Sequence, residues 1–175
     1  ITYLINYVIS FHNQKYMKKL ILSIIFYFFL SSFTFSHVQH YSDINYLEYD
    51  LYRNNNLIGT HKYDFIRKGQ DLTVKSEVNF KISKLGIDLY KYFAISDENY
   101  KDGKFHSFSS KTKQNKKDKF VNIELKNNKN KLKIKGSSFT GDGNIDYIVG
   151  TWWNHQIIKA KAQISAISGR IIEQK

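Results

Sequence analysis

The residues able to do chemistry are few and scattered. If the chain is cleaved after Ser36, His37 becomes the N-terminal residue. An N-terminal histidine can bind copper through its amine and ring, with His40, His61 or His106 supplying a further nitrogen. Nothing in the sequence fixes these histidines near one another, so the reading is solvated side chains and no metal site is assigned. Asp142-x-Asn144-x-Asp146 mimics the start of a calcium loop. Such a loop needs Gly at its sixth position and Glu at its twelfth, and here those are Tyr147 and Trp153. A polar turn is expected instead. There is no cysteine, which removes thiolate nucleophiles, disulfides and lipoprotein acylation together. No Ser-His-Asp order stands out. The carboxylates Glu48, Asp50, Asp64 and Glu77 fall at outward strand positions and read as solvated. No catalytic residue and no cofactor is assigned, and an enzyme is the least supported class.

The pair Trp152-Trp153 is the least ordinary feature. Adjacent residues in a strand face opposite ways, so one ring is expected in the core and the other over a rim. Packing is the plain role for such rings, and ligand contact is its rival.

What positions these residues is a β-rich chain. It holds 13 Tyr and 13 Phe, no proline and only 9 glycines in 175 residues. Large rings suit cross-strand packing. Turns must then be made by Asn, Asp and Lys. Residues 1–16 read as upstream translation or a fragment end. Residues 17–36 read as a signal peptide: Met17-Lys18-Lys19, an apolar run from Leu20, and small residues at Thr34 and Ser36. The run is short for a span of about 20 residues, the rival reading being an uncleaved anchor. Residues 37–45 are a leader and 46–175 one β-rich domain. The expected location is periplasmic or secreted, with membrane contact only during export.

From Tyr46 the apolar period is two. Strands are predicted over Tyr46–Arg53, Leu57–Arg67, Leu72–Ser83, Ile87–Tyr100 and Phe105–Gln114, with shorter ones around Val121–Leu125 and Leu132–Ile134. Before Gly86 the apolar residues are even-numbered; after it Ile87, Leu89, Phe93 and Ile95 are odd-numbered. A bulge or tight turn at Lys84–Gly86 must absorb that slip. Ser137–Asn144 reads as a small-residue loop. Asn154 is expected to cap a short helix over His155–Gln163, and Ser168-Gly169 to turn between the last apolar pieces. The fold class is all-β: a curved antiparallel meander sheet or partly open barrel with one short helix near the C-terminus.

Net charge is +12, unevenly spread. Residues 37–110 balance ten bases with ten acids, whereas residues 111–135 carry ten lysines against Asp118 and Glu124. A solvated lysine face is the plain reading, and an anionic envelope polymer is the partner it would suit. No nucleic-acid partner is expected.

Several blocks carry a resemblance. Tyr49-x-Leu51 with Leu57-Ile58-Gly59-Thr60-His61, Leu85-Gly86-Ile87-x-Leu89-Tyr90-x-Tyr92, Glu98-x-Tyr100-x-Asp102-Gly103 and Trp152-Trp153-Asn154 resemble an uncharacterised bacterial envelope family, domain of unknown function 6134. The resemblance covers about Tyr46 to Arg170 and implies no activity. The family often has Pro after the Trp-Trp-Asn block, where this chain has His155. The family is also longer at its C-terminus, which implies closing strands absent from a truncated chain.

The functional expectation is an exported, non-enzymatic domain that binds or carries an apolar, lipid-like molecule. The inward face is drawn from Leu72, Val74, Val78, Phe80 and Ile82, then Leu89, Phe93 and Ile95, then Val121, Ile123 and Leu125. Leaving it wet is disfavoured at about 25 cal/mol per Å², so the sheet must curl, gain a cover or hold a ligand. The ligand contacts expected are Trp152, Trp153, Phe80, Leu89, Phe93 and Ile95. The alternative is a structural envelope protein that docks an anionic partner through the lysine ribbon 111–135.

Overall fold

The structure, a computed structural model, describes residues 43–126 and 130–174. The stretches expected to be upstream translation (1–16), signal peptide (17–36) and leader, up to residue 42 with His37 and His40, lie outside the described residues, as do residues 127–129. Eight strands follow in order: β1 Tyr46–Arg53, β2 Asn56–Lys68, β3 Asp71–Lys84, β4 Ile87–Lys101, β5 Lys104–Gln114, β6 Lys117–Leu125, β7 Lys131–Gly136 and β8 Thr140–Asn144. Each pairs antiparallel with its sequence neighbours, and β1 and β8 remain edges, so the sheet is an open meander. A second sheet is built from β9 Ile148–Val149, β10 Ala162–Ile164 and β11 Ile171–Glu173. Its central strand β10 is parallel to β9 and antiparallel to β11. Among the described residues, no helix is long and apolar enough to cross a membrane.

The first five connections are two-residue turns, made without proline. Both turn residues have positive φ at Asn54-Asn55 (49° and 62°), Leu85-Gly86 (53° and 77°) and Asp102-Gly103 (48° and 71°). Such turns match the twist of paired strands, and Asn, Asp and Gly tolerate the left-handed region best.

The Leu85-Gly86 turn decides which face of β4 is inward, and it corrects the expected set. A bulge between Ile82 and Ser83 places Ile82 opposite Tyr90 and Ser83 opposite Asp88. From there Phe80 pairs Tyr92, Val78 pairs Ala94, Ser76 pairs Ser96, Val74 pairs Glu98 and Leu72 pairs Tyr100. The inward residues of β4 are therefore the even-numbered ones. Leu89, Phe93 and Ile95 lie on the outer face, 58%, 40% and 43% exposed. Strand β4 carries apolar side chains on both faces, so its own alternation cannot choose between them. The register that the hairpin imposes does.

The core has two parts. Phe108, Val121, Ile123, Leu132 and Ile134 of β5–β7 pack against Val149 and Ile164 of the small sheet. Tyr63, Phe65, Leu72, Val74 and Tyr100 of β2–β4 pack around Trp153. The small sheet thus supplies a cover that the sequence pattern did not disclose. The expected loop 137–144 is largely strand β8, because glycine is what fits there. A Cβ on Gly143 would lie 3.0 Å from Ile134 Cδ1, and one on Gly141 2.9 Å from Phe139 Cζ. The helix expected over His155–Gln163 is one 3-10 turn, His155–Ile158. Asn154 caps it as expected, its side chain accepting from the Gln156 N–H at 3.1 Å. The chain leaves it after one turn because Ala162–Ile164 is taken into the small sheet beside β9.

Candidate binding cleft

Glu98 anchors the C-terminal segment to the main sheet. Its side chain is fully buried on the inward face of β4. Three donors reach it: the Tyr100 hydroxyl at 2.5 Å, the Thr151 hydroxyl at 2.9 Å and the Trp153 indole N–H at 2.8 Å. Tyr100 stands two residues away on the same strand face. No basic side chain is ion-paired to Glu98 among the described residues. Burial pushes the Glu98 carboxyl above the usual range, against the pull of its three donors. Burial and the neighbouring Glu98 push the Tyr100 phenol well above its ordinary value. Phe65 and Tyr100 meet the Trp153 ring edge-on at 5.6 and 5.9 Å. A second tie runs from the Tyr63 hydroxyl to the Thr151 carbonyl, 2.6 Å.

The anchored segment covers one half of the inward face and leaves the other half open. Where it stops, a cleft of about 500 Å³ remains. Its floor is Val78 and Phe80 of β3 with Tyr90, Tyr92 and Ala94 of β4, its far side Leu51 and His61, and its near wall Gly150–Trp152, Ala166, Ile167 and Ile172. The Phe80 ring lies 5.0 Å from Tyr92 and 5.8 Å from Tyr90. Polar side chains are set into this surface: Ser76, Ser96, Ser110, Thr112, Gln114 and Gln163. Each of these is neutral, and no Lys, Arg, Asp or Glu is among the described lining residues. Burial pushes His61 down to about 4, so its imidazole is neutral at pH 7. The Thr112 hydroxyl is buried without a hydrogen-bond partner among the described residues; the Tyr92 phenol approaches it outside good geometry.

Of the residues expected to touch ligand, Phe80 and Trp152 line this cleft. Trp152 is 74% exposed at its rim. Trp153 is instead buried in the core, so the two rings do part as expected. They part at a left-handed kink, Trp152 having φ 67°, and not by strand alternation. Leu89 and Phe93 are on the opposite face of the sheet, and Ile95 borders the cleft only from between inward-facing Ala94 and Ser96. His106 is exposed at a register shift between β4 and β5. Asp142 pairs with Lys126 at 2.7 Å, and Asn144 accepts from the Asp146 N–H, which makes the calcium-like run a strand end and turn. The sequence reading missed the role of Glu98. The signal was present: an acid two residues before a tyrosine, on the parity of Leu72 and Val74 once the register is known.

An open β-meander, half covered by its own C-terminal sheet and pinned there by a buried carboxylate, is the class of protein described. The chain belongs to the family Domain of unknown function (DUF6134), which matches residues 49–175. No curated protein and no solved structure matches it significantly. Two blocks carrying the resemblance, Glu98-x-Tyr100 and Trp152-Trp153-Asn154, meet at the anchor, and Leu51, His61, Tyr90 and Tyr92 from two others line the cleft.

Proposed function

We propose that this is an exported, non-enzymatic carrier or binding domain that takes an apolar, lipid-like molecule into the open half of its inward face. One observation carries the reading. The strands β2–β5 run on past their cover, and the surface they leave is apolar, aromatic and concave, within the roughly 300–1,000 Å³ usual for small-molecule sites. Filling it removes apolar area from water at about 25 cal/mol per Å². The test is titration of purified protein with a fluorescent acyl-chain probe. Saturable binding with quenching of Trp152 emission supports the reading, with Trp152→Phe removing the quench and leaving binding. A folded protein that binds no such probe overturns it.

A second reading has its own observation. Lys111, Lys113, Lys131, Lys133 and Lys135 are all exposed and alternate with buried neighbours, so they share the outer face. That face would dock an anionic envelope polymer. Binding that weakens steeply with salt supports this; no binding at low salt returns the lysines to keeping strand surfaces soluble.

A further inference from the structure

The open cleft holds a directed hydrogen-bond chain, and its direction limits what can bind. Tyr63 has one proton. Its hydroxyl lies 2.6 Å from the Thr151 carbonyl oxygen, which can only accept, so the proton points there. The same phenol oxygen lies 3.3 Å from His61 Nδ1. With its own proton committed, the phenol can only accept, so Nδ1 carries the imidazole proton. The neutral ring then has a bare Nε2, 3.0 Å from Ser76 Oγ. Nε2 therefore accepts from the Ser76 hydroxyl. The other tautomer would leave no proton between Nδ1 and the phenol. Each proton in the chain is thus committed to a partner within it, and at its end the Ser76 oxygen, a lining atom of the cleft, keeps lone pairs that can accept from a ligand.

The lining adds a second constraint. A quarter of this chain is charged, 24% of residues, yet no charged side chain lines the cleft among the described residues. An anionic head group placed there would lose its hydration without a counter-charge. On β6, Lys119 stands opposite Thr112 without lining the cleft, and its ammonium donates to Gln114 Oε1 at 2.6 Å.

Resting on the carrier reading, we infer that the ligand is an uncharged amphiphile with a hydroxyl group that donates to Ser76 Oγ, its hydrocarbon part lying over Val78, Phe80 and Tyr92. A long-chain alcohol or monoacylglycerol has this chemistry; a fatty acid or a phosphorylated lipid does not. The unpartnered Thr112 hydroxyl, two strands away on the same floor, offers a second neutral contact.

The test is displacement of a bound acyl-chain fluorophore at pH 7.5 by three ligands of one chain length: the alcohol, its methyl ether and the fatty acid. The alcohol is expected to bind about tenfold more tightly than the other two, the size of one good hydrogen bond. Ser76→Ala, checked for an unchanged melting temperature, should bring the alcohol down to the level of the ether. Equal or tighter binding of the fatty acid overturns the inference and leaves the carrier reading standing; its loss in Lys119→Met would then place the anion at that lysine. An alcohol preference that survives in Ser76→Ala overturns the assignment to Ser76. If the fluorophore itself never binds, the carrier reading fails and this inference with it.

Discussion

Strands β3 and β4 run through two environments. At one end Leu72, Val74, Glu98 and Tyr100 are buried beneath Trp153 and the C-terminal segment. At the other Val78, Phe80, Tyr90, Tyr92 and Ala94 face the same way from the same strands and are only half-covered. The pairing continues unbroken from Leu72–Tyr100 to Ile82–Tyr90. The alternation is of one kind too, so neither propensity nor register separates the halves. What separates them is the reach of the cover. One half works as a core, and the other is free to act as a binding surface.

The comparison predicts unequal costs for similar truncations. Trp153→Ala removes the ring between Phe65 and Tyr100 and one donor to Glu98, and should destabilise by about 3–5 kcal/mol. Phe80→Ala, in the open half, should cost about 1 kcal/mol, since its ring is already partly wet, and should still abolish probe binding. Urea midpoints measure both. Equal costs would mean that the two halves are not distinct.

Glu98 sharpens the comparison. Replacing it by Leu strands the Tyr100, Thr151 and Trp153 donors and should cost about 2–3 kcal/mol; Glu98→Gln, which keeps an acceptor, should cost less. The folded carboxyl titrates above its unfolded value. Its contribution is therefore complete below the unfolded value of 4.5 and is lost as pH rises through the folded one. Glu98→Gln should accordingly gain on the native chain between pH 4.5 and 7.5. A constant difference across that range would show that the carboxyl does not titrate as its burial requires.

The smallest effect belongs to His61, in the open half. Its folded value of about 4 lies below the ordinary 6.5, so the contribution of the neutral ring is present above 6.5 and lost as pH falls toward 4. Because the ring is partly exposed, the loss should be about 1 kcal/mol after screening. His61→Gln should flatten that limb of the stability curve, and thermal melts at pH 4.5, 5.5 and 7 read it. The two titrations act in opposite directions, so each variant should alter a different limb.

Much of this fold was legible in the sequence. Period-two alternation and the turn pairs at Asn54, Gly69, Gly86, Asp102 and Asn115 placed the first five strands within a residue or so of their ends. Those signals are local: a turn residue must tolerate positive φ wherever the chain goes next, and a strand with one wet face must alternate. The family and the all-β class rest on the same local blocks. Three things depended on tertiary structure. The inward face of β4 was set by its hairpin register, because Leu89, Phe93 and Ile95 are as apolar as Tyr90 and Tyr92. Strand β8 was hidden by glycines chosen for crowding under a cover. The anchor at Glu98 joins residues 53 and 55 positions apart, and a buried carboxylate is spelled in sequence like an exposed one until its partners are known. Local chemistry therefore determined where strands begin and turn. Only the packing of the C-terminal sheet decided which half of the inward face became core and which was left open as a cleft.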